Sequence, residues 1–211
     1  MYNMRGKSSF LIKEGGMSAF KGNVFLLTII FLLFGGCGGP SYFDLQTEIT
    51  ENQGGFQLDR ILLIDDVEIN ETYRDQRIIY RESPFQVKYY NFVLWSKTPD
   101  ELIKDAVIDF WKKRAIFKKV NAFGSEDDAD LTMRIRIDAV EKCYVQKNWY
   151  VRLALDAEIV DAKNNGILFI HSFDRKTRLA GKKIRYVPEM ISKILHEELL
   201  KIEAKLLKGK S

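Results

Sequence analysis

The sequence predicts an α+β fold in which an antiparallel sheet is covered on one face by two helices. Two long runs, 131–139 and 149–159, alternate apolar and polar side chains, which is typical of strands with one face in the core and one in water. Two other stretches, beginning near Thr98 and Pro188, place apolar residues three or four positions apart and therefore predict amphipathic helices. Strands and helices of this kind in one chain indicate a layered α+β architecture.

Shorter apolar runs predict further strands before the long pair. They are rich in branched or aromatic residues and are bounded by turn-forming residues, as buried or half-buried strands are. Residues 42–50 are expected to form a short strand or a lead-in. The other predicted strands lie at residues 60–64, 77–81, 85–89 and 116–120.

The first helix has a clear start signal. Thr98 is a favourable N-cap, Pro99 suits the first helical position, and Glu101 completes a capping box. The helix is expected to end at about Arg114. Its predicted apolar stripe consists of Leu102, Ile103, Ala106, Val107, Phe110 and Trp111.

The two long runs are followed by a hairpin and a final helix. Residues 162–166 predict a turn, and residues 167–173 predict a strand that returns beside 149–159. Pro188 is expected to begin the last helix. The face of that helix predicted to pack on the sheet consists of Ile191, Leu195, Leu199, Ile202 and Leu206.

An apolar segment near the N-terminus indicates export. Residues 24–34 follow Lys21 and are shorter than the about 20 apolar residues of a membrane-spanning helix, so they fit the core of a secretory signal. The sequence LFGGC at 33–37 resembles the lipobox of bacterial lipoproteins. That resemblance implies acylation of Cys37, with palmitate among the acyl groups. The alternative is an ordinary secretory signal followed by an unrelated cysteine.

The same segment sets the predicted domain organisation. Residues 1–36 are assigned to a lipoprotein signal peptide, with translation starting at Met17 or Met4. Residues 37–57 are assigned to a lipidated tether and lead-in, and residues 58–211 to a single α+β periplasmic domain. After residue 36 the chain has 29 basic and 28 acidic residues, a near-balance that argues against nucleic acid as a partner.

No arrangement of residues predicts catalysis or a cofactor. Cys143, His171 and His196 stand at no spacing typical of a metal site or a nucleophile–base pair, so structural roles are expected for all three. A secreted hydrolase that pairs Cys143 with one of the histidines is an alternative without a supporting motif. The chain is therefore predicted not to be an enzyme.

The acidic residues at 126–130 raise a calcium hypothesis, because Ca²⁺ favours carboxylate oxygens. They lack the ligand spacing and the glycine of an EF-hand loop. A solvated turn is the favoured interpretation, and no metal site is predicted.

Two groups of residues are candidates for contact with a partner. Arg134, Arg136, Arg152 and Lys142 are expected on the polar faces of neighbouring strands, as a basic stripe for phospholipid headgroups or an acidic protein, or as a solvated face. Tyr89, Tyr90, Phe92 and Trp95 are expected in the connection before the first helix, as core residues or as an interface. The predicted partner-binding residues are Tyr89, Tyr90, Trp95, Arg134 and Arg152.

Several short motifs follow one another in an order that is similar to that of a known protein family. They are Ile79-Tyr80-Arg81, Val87-Lys88-Tyr89-Tyr90, Trp95, Thr98-Pro99, Leu102-Ile103 and Phe117-Lys118-Lys119-Val120. With the lipobox, they resemble the ABC-type transport auxiliary lipoproteins, the paraquat-inducible-protein-C-like group. The resemblance covers about residues 58–207. It implies a sandwich similar to the amino-terminal domain of TolB.

The resemblance also implies a function. It implies a non-enzymatic periplasmic component of an MCE-type lipid-transport system, with an MCE-family protein and an ABC transporter as partners and a lipid anchor in the membrane. Gly38 stands where an aspartate would signal inner-membrane retention, so the outer membrane is expected. The alternative is a lipoprotein adaptor for outer-membrane assembly or cell-wall synthesis. The oligomeric state is left open, a homo-oligomer included.

Overall fold

The computed structural model describes residues 39–46, 57–122, 124 and 128–209. The predicted signal segment, Cys37, and the acidic residues Glu126 and Asp127 lie outside this part of the chain. The helical elements described are α1 (Pro99–Arg114), α2 (Tyr186–Lys208) and one 3-10 turn, η1 (Glu71–Tyr73). The strands are β1 (Ser41–Phe43), β2 (Leu58–Ile69), β3 (Arg77–Ser83), β4 (Gln86–Trp95), β5 (Phe117–Asn121), β6 (Leu131–Val145), β7 (Asn148–Asp161) and β8 (Ile167–Arg178).

The α+β class is confirmed, but the sheet is mixed, so the prediction of an antiparallel sheet is wrong. β6, β7 and β8 are antiparallel to one another, and β3 is antiparallel to β4. β1 pairs parallel with β4, β2 pairs parallel with β5 and β6, and β3 pairs parallel with β6. Short turns join the antiparallel pairs, whereas long connections separate the parallel neighbours and return the chain in its original direction.

β6 organises the sheet because both of its edges are occupied along most of its length. One edge pairs with β7 from Leu131 to Val145. The other edge is shared, since β2 pairs with 131–137 and β3 pairs with Lys142 and Cys143. The chain therefore follows this edge twice in the same direction, and η1 marks the interruption between the two strands.

A β-bulge in β6 changes which side chains face the helices. Ile137 lies opposite Leu155, whereas Ala139 lies opposite Ala154, so Asp138 is an extra residue. Beyond the bulge the alternation is reversed, and Ala139 turns away from the helices. Ala139 is buried, as its apolar position in the run predicted, but it lies on the other face of the sheet from Ile137. Ile137 and Ala139, on either side of the bulge, are both apolar, so the alternating pattern of the sequence did not reveal the change of face.

The start of α1 has the capping box predicted from the sequence, whereas no side chain caps the start of α2. The Thr98 backbone N–H donates to Glu101 Oε2 over 3.4 Å, and α1 ends at Arg114, as predicted. Ala115 then adopts a left-handed conformation with φ of 48°. α2 begins two residues before Pro188, which is tolerated because the first N–H groups of a helix have no partner within it.

The two helices cover one face of the sheet, and the face of β6, β7 and β8 turned away from them is called the open face below. α1 packs on β2 and β5, and α2 packs on β7 and β8. The helices meet where the Phe110 ring lies 5.7 Å from the His196 ring. The predicted helix stripes are buried in one hydrophobic core. β4 extends to Trp95, so the segment expected as a connection is part of a strand.

Candidate functional site

The open face carries alternating charges. Arg134 on β6 lies opposite Glu158 on β7, with its Nε atom 3.7 Å from Asp65 Oδ2. Arg136 lies opposite Asp156 and donates a hydrogen bond to its carboxylate. The predicted basic stripe is therefore interrupted by carboxylates. Such a surface is nearly neutral over a distance of a few residues.

A buried carboxylate, Glu141, organises the next part of the open face. Its side chain is 2% exposed. It accepts hydrogen bonds from Tyr73 Oη at 2.7 Å and Arg81 Nε at 2.6 Å. Burial, together with the neighbouring Glu141 carboxylate, raises the pKa of Tyr73 to about 12, so this hydroxyl stays protonated and donates. The contact fixes η1 against the middle of the sheet.

Arg152 completes this cluster from β7. Its guanidinium bonds Asp174 on β8 through two contacts of 2.8 Å and reaches Glu141 Oε1 at 3.3 Å. The Arg152 hydrogen bond holds the pKa of Asp174 below its usual range, and the same contact raises the pKa of Arg152. Arg152 therefore joins three elements, and most of its hydrogen-bonding capacity is used within the domain.

Lys142 lies on the opposite face from the three arginines because it follows the bulge. Its side chain is 2% exposed, and Nζ donates to Tyr90 Oη at 3.0 Å and to the Lys182 carbonyl at 2.8 Å. The same Nζ lies 4.1 Å from the centroid of the Trp149 ring. Burial, with a contribution from Lys182, lowers the pKa of Lys142. The expected membership of Lys142 in a surface stripe is wrong.

The aromatic candidates lie in β4 and differ in exposure. Tyr89 is half-buried, with the Arg77 guanidinium carbon 4.3 Å from its ring centroid. Tyr90 packs on Tyr80 with a centroid distance of 4.7 Å. Trp95 is 2% exposed in the core, so its ring offers almost no surface to a partner. Their predicted role in partner binding stays a prediction.

A second buried carboxylate, Glu198, links α2 to β8. Glu198 Oε2 lies 2.8 Å from His171 Nε2, and Glu198 Oε1 accepts from Arg175 and Lys201. Lys205 Nζ lies 3.0 Å from the other nitrogen of His171. Burial opposes ionisation of Glu198, but these hydrogen bonds outweigh it and hold its pKa below the usual 4.5. This geometry gives His171 a packing and hydrogen-bonding role.

Cys143 and His171 cannot form a nucleophile–base pair. Cys143 lies opposite Tyr150 on the open face, whereas His171 lies opposite Ala157 and points towards α2. The sheet therefore separates them. Burial also raises the pKa of the Cys143 thiol, which keeps it in the unreactive protonated form.

The described part of the acidic 126–130 segment has a structural role. Asp130 Oδ2 accepts a hydrogen bond of 2.9 Å from the backbone N–H of Ile61. Within residues 39–46, 57–122, 124 and 128–209, no group of three or more potential ligands is arranged to hold a metal ion. In that same part of the chain, no helix is both long and apolar enough to span a membrane.

One end of the sheet combines exposed apolar side chains with clustered positive charge, and we call it the tip. It consists of the β3–β4 turn (82–88), the β6–β7 turn (144–148) and the segment after β8 (178–185). These segments meet because Tyr80 pairs with Lys142 and Arg178 pairs with Tyr150. Sequence reasoning missed the tip because its parts are far apart in the chain. The sequence feature that could have indicated the tip is the stretch 175–185, which contains several basic residues and no acidic residue.

The sequence matches a known family. A family model described as "ABC-type transport auxiliary lipoprotein component" matches residues 43–202. The chain belongs to this family. The family resemblance inferred from the motifs is thereby confirmed, and the family description supports a lipoprotein of the cell envelope associated with ABC transport. No curated protein matches the chain.

Solved structures share the fold. Protein XCC0632 from Xanthomonas campestris is 15% identical, with a TM-score of 0.69, over 79% of this chain and 95% of that chain. An uncharacterized protein is 12% identical, with a TM-score of 0.64, over 80% of this chain and 99% of that chain. At these identities the likeness establishes a common fold alone.

Proposed function

We propose that this chain is a lipid-anchored periplasmic subunit of an MCE-type ABC lipid-transport system, where it docks the assembly at the outer membrane without catalysing a reaction. The observation that carries the proposal is the family match over residues 43–202. The lipobox-like sequence at 33–37 supports an anchor on Cys37, and Gly38 supports outer-membrane placement.

The disposition of buried titratable groups supports a non-enzymatic role. Glu141 and Glu198 are each surrounded by donors from their own domain, and the Cys143 thiol is held protonated. A general base or nucleophile needs an accessible group at a pKa suited to proton transfer. These three groups instead hold elements of the fold together.

The MCE-family protein and the ABC transporter are the proposed partners. We keep Tyr89, Tyr90, Arg134 and Arg152 as proposed contact residues of the protein interface. Trp95 is buried and would contribute only by holding β4 in place. Phe92, on the same strand, is 70% exposed, which makes it the most exposed of the four aromatic residues singled out in β4. Arg134 is paired with Asp65 and Arg152 with Asp174, so each arginine would offer a partner only the N–H groups that these carboxylates do not bind.

The experiment that tests this function is affinity capture of the full chain from its native envelope, with mass spectrometry of the partners and of the mature N-terminus. Acylated Cys37 together with an MCE-family protein is the expected result. Capture of a β-barrel or a cell-wall synthase would replace the transport role by the adaptor alternative. An unmodified N-terminus would contradict the anchoring step.

The protein interface can be tested separately. Arg134→Glu is expected to reduce capture of the MCE-family protein, because it places a carboxylate beside Asp65 and Glu158. Lys118→Glu on β5 is the matched control, since it makes the same charge change at the edge of the sheet, two strands away from β6. Equal capture by both variants would remove the open face from the interface. Arg152 is unsuitable for this test because it also bonds buried Glu141.

A further inference from the structure

We propose that the tip is a membrane-contact surface that binds anionic phospholipid headgroups, with Phe85 entering the interfacial layer. The proposal rests on the lipid anchor at Cys37 that the proposed function includes. It adds a direct contact between the folded domain and the bilayer. The family description does not include this contact. The sequence suggested phospholipid headgroups as ligands of the open face, whereas the proposal places them at the tip.

The charge of the tip differs from that of the rest of the chain. Of the 29 basic and 28 acidic residues after residue 36, the tip holds six and one, which leaves 23 and 27 elsewhere. The single acidic residue, Glu82, is paired with Lys88. The basic residues are Lys88, Lys147, Arg178, Lys182, Lys183 and Arg185. A local excess of this kind attracts an anionic surface.

The cations of segment 178–185 are exposed. Among the described residues, Arg178, Lys182 and Lys183 form no ion pair within 4.0 Å. This contrasts with Arg81, Arg136 and Arg152, each of which bonds a carboxylate. The charges of the segment therefore remain available to an outside anion. Phosphate groups on a lipid surface are ligands of opposite charge.

The apolar part of the tip projects from the turns. Phe85 is 98% exposed at the β3–β4 turn, and Tyr144 and Val145 are each 39% exposed at the β6–β7 turn. The register in which Arg81 pairs with Cys143 would bring Ser83 beside Val145, so the two turns are neighbours. Moving an exposed phenylalanine out of water is favourable. Aromatic and aliphatic side chains among lysines and arginines are typical of surfaces that lie in a membrane interface.

The tip is held in a fixed arrangement by Lys142 beneath it. Nζ of Lys142 bonds the Lys182 carbonyl and Tyr90 Oη, which connects segment 178–185 to β4. The Trp149 ring packs over the same Nζ, and Tyr144 packs on Trp149 with a centroid distance of 5.0 Å. Because these contacts form within the folded domain, little ordering is needed when the tip meets a surface.

The direction of β1 favours an orientation with the tip towards the membrane. β1 runs parallel to β4 with Ser41 beside Val93, and β4 begins at Gln86 next to Phe85. The chain therefore enters β1 from the side of the tip. Cys37 precedes Ser41 by four residues, which span at most about 14 Å. Val93 is eight residues along β4 from Phe85, a distance of about 26 Å. The acyl group on Cys37 and the tip can therefore reach the bilayer together only when β4 is tilted towards the membrane plane.

The test uses the full chain purified from its envelope and placed in phosphatidylcholine vesicles with or without phosphatidylglycerol. A solvatochromic dye is attached at Phe85→Cys, and at Lys163→Cys in the turn at the opposite end of the sheet as the control. With phosphatidylglycerol, the dye at position 85 is expected to shift to the blue and to be quenched by brominated acyl chains. The dye at position 163 is expected to stay in water, and high salt should reverse the shift.

Charge reversal gives a matched comparison. The dye at position 85 measures the ratio of protein with its tip in contact with the vesicle to protein with its tip in water. The double substitution Lys182→Glu with Lys183→Glu is expected to lower this ratio by at least about 25-fold. Lys118→Glu with Lys119→Glu makes the same net change on another exposed lysine pair, on β5, and is expected to change the ratio less than about twofold. Equal loss in both pairs would overturn a specific role of the tip.

The outcomes separate the tip from the anchor. An acylated protein that floats with vesicles while the dye at position 85 stays in water overturns the tip and leaves the proposed function standing. A protein without an acyl group that still shows the shift supports the tip and overturns the anchor. The absence of both overturns both. An equal shift in pure phosphatidylcholine overturns recognition of anionic headgroups.

Discussion

The tip with Lys142 beneath it differs in its buried charges from the body of the domain, meaning the other described residues. In the body, Glu141 and Glu198 are each 2% exposed and are each surrounded by cationic donors. Beneath the tip, Lys142 is equally buried, but it contacts a carbonyl, a hydroxyl and an aromatic ring. In the body the buried carboxylates are therefore neutralised by cations of the same domain, whereas the tip has an excess of positive charge.

Charge in the body serves folding, whereas charge in the tip is available for binding. The Glu141 cluster joins η1, β3, β6 and β7, and the Glu198 cluster joins β8 to α2. Removing one member leaves buried partners uncompensated, so the body should be sensitive to substitution. Removing exposed charge from the tip leaves nothing uncompensated, so the tip should be tolerant.

The largest expected effect is from Glu141→Gln. The substitution leaves Arg81 and Arg152 without their shared carboxylate, and we expect the free energy of unfolding to fall by about 3 kcal/mol. Urea denaturation measures it. Glu82→Gln, which affects an exposed pair, is the control and should lower stability by less than about 0.5 kcal/mol. Similar losses in the two variants would remove the distinction between body and tip.

Glu198→Gln should have the next largest effect, about 2 kcal/mol at neutral pH. Because the pKa of Glu198 in the folded state lies below the usual 4.5, its ionised form stabilises the fold above that pH. The stabilisation is lost as the pH falls from about 4.5 through the lower folded-state pKa. The difference between wild type and variant should therefore shrink in acid. A pH series of urea denaturation curves showing a constant difference would contradict this.

Lys142→Met should lower the free energy of unfolding by about 1 kcal/mol, because the methionine packs but leaves the Lys182 carbonyl and Tyr90 Oη without their donor. Its clearer effect should be on the tip. Segment 178–185 should be cleaved faster by trypsin once the hydrogen bond from Lys142 to the Lys182 carbonyl is lost. Lys147→Met, at an exposed position in the β6–β7 turn, is the control and should leave that rate unchanged.

The smallest expected effect on stability is from Lys182→Glu with Lys183→Glu. Both side chains are exposed, so the free energy of unfolding should stay within about 0.5 kcal/mol of wild type. The same variant should lose the contact with anionic vesicles. A large loss of stability would show that these lysines belong to the body, and the distinction would have to be redrawn.

Local signals in the sequence predicted the helices and the long strands well. Thr98, Pro99 and Glu101 determine the start of α1 through contacts within one turn, and α1 ends at the predicted Arg114. The alternating runs of β6 and β7 indicated strands because each has one face on the core. Those features depend on neighbours close in sequence, which is why they could be found without a structure.

Features that depend on distant pairing were not predictable in this way. Parallel pairing of β2 and β3 with one edge of β6 joins residues about 60 to 70 positions apart. The bulge at Asp138 put Lys142 and Arg152 on opposite faces, although the alternating pattern placed them together. The candidate surface on the open face was predicted as cationic because its acidic partners come from β2, β7 and β8.

The interrupted edge of β6 has a consequence for how the chain tolerates changes in length. β2 and β3 each set their own register on β6, and the residues from Arg74 to Gln76 lie between them at the surface. One residue inserted there would be absorbed without moving either strand. One residue inserted in β6 would reverse the face of every later side chain in that strand. Length variation in this domain is therefore expected between η1 and β3, and not within β6.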